Sequence, residues 1–410
     1  MQLSNRSKSV AAGLAIVAML GLSACNATAN AQNSASATRS GTSAPSTTST
    51  PTPTTQPINW VTDPKDAATA VPVDTRVTAR TEHGELTAVS LSYKSKKGNV
   101  VSADGWLESG VWTAKDLLEP GVTYTLTMKA TDEAGEKTTR EQTFTTQDLT
   151  LDDQIAVTVT PADGQVVGIG MPVIVTFDLP VKDRATFEKH MKVTSTPAQA
   201  GSWYWLSDRE AHWRPKSYWQ PGTKVHVEAN LNGVPAGNGR YGQWTRTSDF
   251  TVGRAVVAKV NLKTDMMDVY ISGQKVKTIP VTGGRPGLET RSGVKVIMAK
   301  VTNIVMKAET IGFKKGDKNW YEDTPVKYAL QLTHSGEFLH SAPWSVASQG
   351  HANVSHGCTG MSDTNAGWVY QNFKIGDVVE TTGTNKPMTM GNGYSDWNLG
   401  WASYQKGSAL

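Results

Sequence analysis

Two residues in the last third of the 410-residue chain carry the side chains of a cysteine nucleophile and its base. Cys358 directly follows His356 and Gly357, and His340 lies 18 residues upstream. A thiol becomes nucleophilic at neutral pH when an imidazole or a helix N-terminus stabilises its thiolate, and a helix is predicted just after Cys358, over residues 363–373. Gly357 lets the backbone approach a substrate, so the amides around it are candidate oxyanion donors. These residues are compatible with nucleophilic catalysis by a cysteine.

A buried structural cysteine and a metal site are alternative interpretations of the same residues. Cys358, His356 and His340 offer side chains that bind zinc, but no second cysteine or CxxC spacing supports a closed structural site. A metal site is therefore disfavoured, and no cofactor is expected. His334 and His351 are expected to be ordinary loop or strand histidines.

The segment around these residues is predicted to be a β-rich domain, residues 253–383. Alternating apolar and polar residues predict strands at 260–262, 267–270, 276–281 and 294–301. In the helix predicted after the cysteine, Asp363 is the expected capping residue.

Composition excludes several classes of protein. The chain has 37 glycines and 19 prolines, which favours a mainly β protein of short strands and turns, and its length predicts about three domains. A net charge of only +4 argues against a dedicated nucleic-acid binder. Two cysteines are too few for a disulfide-stapled scaffold, and one apolar run is too few for a polytopic membrane protein.

The N-terminal sequence is typical of an export signal. Arg6 and Lys8 precede an apolar stretch that ends in Leu-Ser-Ala-Cys at residues 22–25, which resembles the bacterial lipobox. The resemblance implies a signal peptide over residues 1–24 and lipidation of Cys25, with two or more acyl chains anchoring the protein to the cell membrane outside the cytoplasm. In that case Cys358 has no disulfide partner.

Residues 25–57 are rich in Ser, Thr and Pro and contain almost no bulky apolar side chains. Such a segment cannot bury enough surface to offset its ordering entropy, so it is predicted to be a disordered tether.

The next two hundred residues repeat. Trp112 and Trp213 lie 101 residues apart, as do the Pro-Gly pairs at 120–121 and 221–222, and alternating strands follow each pair. Strands separated by regular turn signals predict two immunoglobulin-like β-sandwiches. The sandwiches are assigned to residues 58–147 and 148–252.

The aromatic cluster at residues 203–205, Trp-Tyr-Trp, has two interpretations. It is either a platform for carbohydrate or an inward-facing strand of the second sandwich, and the second interpretation is favoured.

His-Ser-Ala-Pro-Trp at residues 340–344, followed by Ser-His-Gly-Cys at residues 355–358, resembles the signature of the YkuD-type L,D-transpeptidases. The order of segments is also similar to that of mycobacterial and corynebacterial members: lipobox, linker, two immunoglobulin-like modules, catalytic β-domain and a short Trp-rich C-terminal extension, here residues 384–410.

The resemblance implies a role for each motif residue. Cys358 would be the acylated nucleophile and His340 the general base, with the main-chain carbonyl of Ser341 orienting the imidazole. The amides of His356, Gly357 and Cys358 would surround the oxyanion.

The resemblance also implies residues that contact substrate. Tyr321 would line the substrate channel, Trp344 would form a wall of the pocket, and Ser355 would contact the substrate. His356 has an alternative role as a structural hydrogen-bonding residue.

The chain departs from the family pattern immediately after the cysteine. The family has a hydrophobic residue and then Asn, whereas this chain has Thr359 and Gly360. Any role of that Asn side chain is therefore absent or filled by another group.

The resemblance implies an enzyme that cross-links peptidoglycan. Donor and acceptor stem peptides would be its partners, the donor would lose D-alanine, a 3→3 cross-link would form, and carbapenems would acylate the cysteine. Two rival functions are a cysteine peptidase or amidase of cell-wall peptides and a non-catalytic wall-binding lipoprotein.

Overall fold

The computed structural model describes residues 56–410. The predicted signal peptide, Cys25 and most of the predicted tether lie outside the described residues. Among residues 56–410, no helix combines the length and apolarity needed to cross a bilayer.

The first β-sandwich has eight strands. They are β1 (Asn59–Asp63), β2 (Thr78–Glu82), β3 (Glu85–Lys94), β4 (Val100–Ala103), β5 (Gly105–Glu108), β6 (Val111–Ala114), β7 (Thr123–Thr131) and β8 (Lys137–Thr145). One sheet has the order β1-β2-β6-β5 and the other β4-β3-β7-β8. The alternation in β7 buries Tyr124, Leu126 and Met128 between the sheets, as expected for a strand with one face in the core.

The second sandwich follows directly. Its strands are β9 (Gln154–Ile155), β10 (Val157–Thr160), β11 (Val166–Val167), β12 (Val173–Phe177), β13 (Met191–Thr196), β14 (Gly201–Trp205), β15 (Glu210–Pro215), β16 (Lys224–Asn230), β17 (Pro235–Gly237), β18 (Arg240–Gly242) and β19 (Thr245–Val252). The main sheets have the orders β10-β12-β15-β14 and β11-β19-β16-β13, and β17-β18-β9 form a small third sheet. Helix α1 (Arg184–Lys189) lies between β12 and β13.

The sequence repeat corresponds to a structural repeat, which confirms the two predicted sandwiches. Trp112 in β6 and Trp213 in β15 are both buried. Each indole lies over a glycine of the adjacent strand: a Cβ added to Gly105 would fall 2.3 Å from the Trp112 ring, and one added to Gly201 would fall 2.1 Å from the Trp213 ring. In each sandwich, a glycine therefore makes room for the core tryptophan.

The aromatic cluster at residues 203–205 belongs to this core. Trp203 and Trp205 are buried, and the ring of Tyr204 packs on Tyr404 with centroids 5.2 Å apart. The carbohydrate-platform interpretation is wrong, because both indoles that would stack on a sugar face the interior.

The third domain contains the predicted nucleophile. Its strands are β20 (Val256–Asn261), β21 (Met266–Ile271), β22 (Gln274–Pro280), β23 (Gly293–Val296), β24 (Ala299–Met306), β25 (Thr324–Gln331), β26 (Phe338–Ser341), β27 (Thr359–Met361) and β28 (Val378–Thr382). One sheet has the order β22-β21-β20-β28-β23 and the other β24-β25-β26-β27, and helix α2 (Asp363–Asn372) packs against β25 and β26.

Two local predictions in this domain need correction. The strand predicted at 294–301 is two strands, because β23 pairs with β28 while β24 pairs with β25 in the other sheet. The cap of α2 is Ser362 rather than Asp363: the Ser362 backbone is extended, and its hydroxyl accepts a hydrogen bond from the Asn365 amide at 3.3 Å.

The C-terminal extension returns to the second sandwich. Helix α3 (Trp401–Gln405) contacts β14. The Arg214 guanidinium of β15 lies over the rings of Trp397, Trp401 and Tyr404 at 4.7, 5.3 and 4.2 Å from their centroids. The extension is therefore a strap that joins the third domain to the second.

Candidate active site

The fold brings the predicted nucleophile next to the predicted base. β26 carries His340, and β27, which begins one residue after Cys358, pairs with it in parallel with Leu339 opposite Thr359. The Cys358 sulfur lies against the Gly336 carbonyl and the Phe338 amide, at the start of the strand that carries His340. The nucleophile and the base are therefore placed by the same strand.

Backbone hydrogen bonding fixes the orientation of the His340 ring. Its Nδ1 lies 2.8 Å from the carbonyl oxygen of Ser341, and because a carbonyl only accepts, Nδ1 carries the hydrogen. The Ser341 hydroxyl accepts bonds from the amides of Lys327 and Tyr328 at 3.1 and 3.2 Å, which holds β26 against β25. Burial lowers the pKa of His340, although the Ser341 carbonyl opposes this shift. The imidazole is therefore neutral, with Nε2 unprotonated.

Cys358 rests as a neutral thiol. Its Sγ is half-buried and donates a hydrogen bond to the carbonyl of Gly336 at 3.3 Å. Burial raises the pKa of the thiol to about 12, and the amide of Phe338 and the ammonium of Lys295 only partly oppose that effect. Ionisation therefore requires a base that takes the proton as the sulfur reacts.

The expectation that a helix N-terminus stabilises the thiolate is wrong. β27 separates Cys358 from α2, which begins at Asp363. The reason is that residues 359–361 pair with β26 and so carry the chain away from the sulfur before the helix begins.

A tight turn presents the sulfur. The Ser355 hydroxyl donates to the carbonyl of Cys358 at 2.6 Å and accepts from the amide of Gly357 at 3.1 Å. Gly357 has φ +127°, a conformation that favours glycine. Ser355 thus holds the turn, and its contact with substrate stays a prediction. Since the Gly357 amide is engaged, the amides of His356 and Cys358 remain as the other predicted oxyanion donors.

His356 is held by a residue that sequence reasoning missed. Arg285 donates from Nη2 to Nε2 of His356 at 2.9 Å and to Oδ1 of Asn319 at 3.1 Å. Burial and the Arg285 charge lower the pKa of His356, so the ring is a neutral acceptor. This geometry supports the structural alternative for His356. Arg285 stands in a Gly-rich loop, and nothing in that loop's sequence indicated a partner 71 residues away.

Aromatic side chains flank the pair on both sides. The Tyr321 ring lies 4.7 Å from the His356 ring, and burial followed by the proximity of Cys358 raises the pKa of Tyr321 to about 12. On the other side, Trp344 is 58% exposed with its ring 6.1 Å from that of His340. Tyr321 therefore lies beside His356 and Trp344 beside His340, and the contact of either residue with substrate stays a prediction.

Position 360, which carries Asn in the family pattern, would be crowded by any larger side chain. A Cβ on Gly360 would fall 3.0 Å from Cβ of Ala342 and 3.2 Å from Cγ2 of Thr282. The Gly360 amide and carbonyl both bond to the backbone of Thr282, at 2.9 and 3.0 Å. Neighbouring side chains and this backbone pairing fill the space instead.

The two remaining histidines of the catalytic domain lie at the surface. His334 and His351 are exposed, as expected for ordinary loop histidines. Across the part of the chain that the structure describes, no three His, Cys, Asp or Glu side chains are grouped so that they could hold a metal ion.

Two family models match the chain. A bacterial Ig domain matches residues 68–235, and an L,D-transpeptidase catalytic domain of the YkuD type matches residues 255–381. The second match contains all of the site described above, and the first extends over parts of both sandwiches.

Relatives with known names match over most of the chain. L,D-transpeptidase 2 of Mycobacterium tuberculosis is 37% identical, and the match covers 84% of this chain and 83% of the relative. L,D-transpeptidase 5 of the same species is 30% identical, and the match covers 85% of this chain and 76% of the relative.

Solved structures match a little more than half of the chain. The L,D-transpeptidase LdtMt1 in complex with imipenem is 35% identical, with a TM-score of 0.49, and the match covers 55% of this chain and 97% of that structure. L,D-transpeptidase 3 of M. tuberculosis with a faropenem-derived adduct is 31% identical, with a TM-score of 0.47 and coverage of 55% and 98%. The chain belongs to the L,D-transpeptidase family and is a transpeptidase enzyme.

Proposed function

We propose that this transpeptidase forms 3→3 peptidoglycan cross-links through a thioester on Cys358. The sulfur attacks the carbonyl before the terminal D-alanine of a tetrapeptide donor stem while its proton passes to Nε2 of His340. The tetrahedral intermediate collapses, His340 returns the proton to the leaving nitrogen, and D-alanine departs. An amine of an acceptor stem then gives its proton to His340, attacks the thioester and releases the thiol.

The observation that carries this proposal is the bond between Nδ1 of His340 and the Ser341 carbonyl. It selects the tautomer in which Nε2 accepts a proton, and burial keeps that nitrogen neutral at pH 7. A buried thiol with a high pKa needs such a base. Both half-reactions are acyl transfers, so one base and one set of oxyanion donors serve both.

Two further parts of the proposal concern inhibitors and location. Since solved relatives bind imipenem or carry a faropenem-derived adduct, we expect carbapenems to acylate Cys358.

The lipobox at residues 22–25 supports lipidation of Cys25, and the tether that follows supports a site facing the cell wall. We expect Cys25→Ala to move the protein from the membrane fraction to the soluble fraction, and retention of this variant in the membrane would contradict the anchor.

Intact-mass analysis with purified disaccharide-tetrapeptide tests the chemistry. The native enzyme is expected to show an adduct on Cys358, free D-alanine and cross-linked dimers. Cys358→Ala should lose all three. His340→Ala should slow acylation by roughly 10²–10⁴-fold and keep the native unfolding transition. The exposed His351 of the same domain provides the control, since His351→Ala should react at the native rate.

The rival functions give different products. Cleaved stems without dimers would establish a peptidase or amidase, and an absent adduct with unchanged substrate would establish a non-catalytic protein. Loss of the unfolding transition in His340→Ala would assign that histidine a structural role.

A further inference from the structure

A buried charge cluster lies behind Cys358, and the proton-transfer pair does not use it. Lys295 of β23 is 0% exposed, and its Nζ lies 2.7 Å from Oε2 of Glu337, which is also buried. Arg291 binds the other carboxylate oxygen, with Nη1 at 2.8 Å and its backbone amide at 3.1 Å from Oε1. We call these three residues the Lys295 cluster.

The cluster is built into the segment that touches the sulfur. Glu337 stands between Gly336, whose carbonyl accepts the Cys358 hydrogen bond, and Phe338, whose amide faces the sulfur. On the other side, a Cβ added to Gly357 would lie 4.0 Å from Cγ of Glu337. The carboxylate is therefore packed against both chain segments that position the thiol.

The charges of the cluster do not balance. Two cations face one carboxylate, and one of them, Lys295, is fully buried, whereas the Arg291 side chain is 21% exposed. A buried charge is unfavourable unless an opposite charge compensates it. Ionisation of Cys358 would place a negative charge beside this excess, so the cluster offsets part of the effect by which burial disfavours the thiolate.

The pKa directions agree with this geometry. Burial lowers the pKa of Lys295, whereas Glu337 and Cys358 raise it and Arg291 lowers it further. In turn, the Lys295 charge lowers the pKa of Cys358 and the Glu337 charge raises it. Of the other titratable groups of the site, His340 and His356 are neutral and the Tyr321 phenol is protonated.

We propose that Lys295 is a positioning residue for the transpeptidase reaction, whose ammonium stabilises the Cys358 thiolate from behind while Glu337 and Arg291 hold it in place. The inference rests on the proposed role of Cys358 as nucleophile. In this proposal Lys295, on β23, supplies the positive charge that the helix N-terminus does not provide.

The rate of Cys358 alkylation by iodoacetamide, followed by intact mass between pH 6 and 10, tests the inference without any cell-wall substrate. Below the thiol pKa this rate follows the thiolate fraction, which falls tenfold for each unit by which the pKa rises, partly offset by the higher nucleophilicity of a more basic thiolate. Lys295→Met should therefore slow alkylation by roughly three- to tenfold at every pH below the pKa, and Lys295→Arg should restore most of the rate. Lys275→Met is the control, because Lys275 is an exposed lysine paired with Asp268 at 3.5 Å on the same domain.

Glu337→Gln should change the rate of Cys358 alkylation in the opposite direction. It removes the charge that disfavours the thiolate, so alkylation should become faster, whereas purely structural damage would change both variants in the same direction. Equal rates in native protein, Lys295→Met and Glu337→Gln would overturn the proposal, as would two shifts of the same sign.

Arg291→Met provides a second route if Lys295→Met does not fold. The Arg291 side chain is 21% exposed, and its loss also removes one positive charge, so alkylation should slow. An unchanged rate in this variant overturns the proposal. If alkylation shifts as expected but no stem is cross-linked, the proposed function fails while the charge assignment stands.

Discussion

The two junctions between domains are built differently. The second sandwich and the catalytic domain approach each other through their main chains: the amides of Gly168 and Gly170 donate to the carbonyls of Ile375 and Gly376 at 2.8 and 2.9 Å. Val378 of β28 is part of the second sandwich's own core. The two domains therefore share hydrogen bonds and apolar packing.

The hydrogen bonds between the two sandwiches join side chains. Asn230 donates to Asp116 at 3.4 Å, and Asn232 donates to Glu119 at 3.2 Å. Leu117 packs against the second core as a partly buried residue. Side chains that meet near the surface contribute less than a shared core, so the first sandwich is the less firmly attached domain.

A buried ion pair adds to the firm junction. Both ring nitrogens of His212 face carboxylates, with Nδ1 at 2.9 Å from Asp396 and Nε2 at 2.8 Å from Glu210. Burial would lower the pKa of His212, but the two carboxylates raise it to about 9, so the ring is an imidazolium at neutral pH. Tyr404 also donates to Asp396, at 3.1 Å. The catalytic domain is therefore firmly attached to the second sandwich, and the weaker junction is the one between the two sandwiches.

The largest effect is expected from Asp396→Ala. It leaves the His212 charge buried with one partner fewer, and breaking a buried pair costs about 3–5 kcal/mol of unfolding free energy. Denaturant unfolding measures the change. Asp249→Ala is the control, because Asp249 forms a 2.9 Å pair with His226 on the same sandwich but its side chain is 70% exposed. Equal losses in the two variants would contradict the special role of the buried pair.

A smaller effect is expected from Gly168→Ala. The added Cβ would fall 2.1 Å from the amide nitrogen of Asp377, so the two backbones must separate, at a cost of about 1–3 kcal/mol. Gly400→Ala is the matched control, since no atom lies within 4 Å of its added Cβ. Thermal unfolding compares them, and an unchanged midpoint for Gly168→Ala would show that this close approach is not a constraint.

The smallest effect is expected at the other junction. Asn232→Ala removes the bond to Glu119, and a single partly exposed hydrogen bond of this kind contributes about 1 kcal/mol or less. Denaturant unfolding again measures it, with Asn59→Ala as the control, because Asn59 bonds to Glu82 within the first sandwich at 2.7 Å. A loss as large as that of Asp396→Ala would mean that the two junctions are equally firm.

Sequence patterns predicted the domain order because local signals carry it. The alternation of β7 and the Pro-Gly turn signals are properties of short segments, and their repetition after about 100 residues predicted two sandwiches. The division between β23 and β24 was missed, because Ile297 and Met298 continue the apolar run while the chain passes from one sheet to the other. Pairing partners decide that boundary, and they are distant in sequence.

The residues of the candidate site also fall into two groups, those that a local motif predicted and those that the sequence did not indicate. Cys358, His340 and the Ser341 carbonyl were predicted from a motif whose residues lie close in the chain. Arg285 and the Lys295 cluster were not, because their partners lie 71 residues from Arg285 and 46 residues from Arg291. Such pairs become visible only when the fold places them together.

The C-terminal strap has a consequence for the order in which the protein matures. Arg214 bonds to the carbonyl of Leu399, 185 positions later in the chain. Until the strap docks, Arg214 lacks the Leu399 carbonyl and His212 lacks one of its two carboxylate partners. The second sandwich therefore completes its packing only after the last residues of the chain are in place.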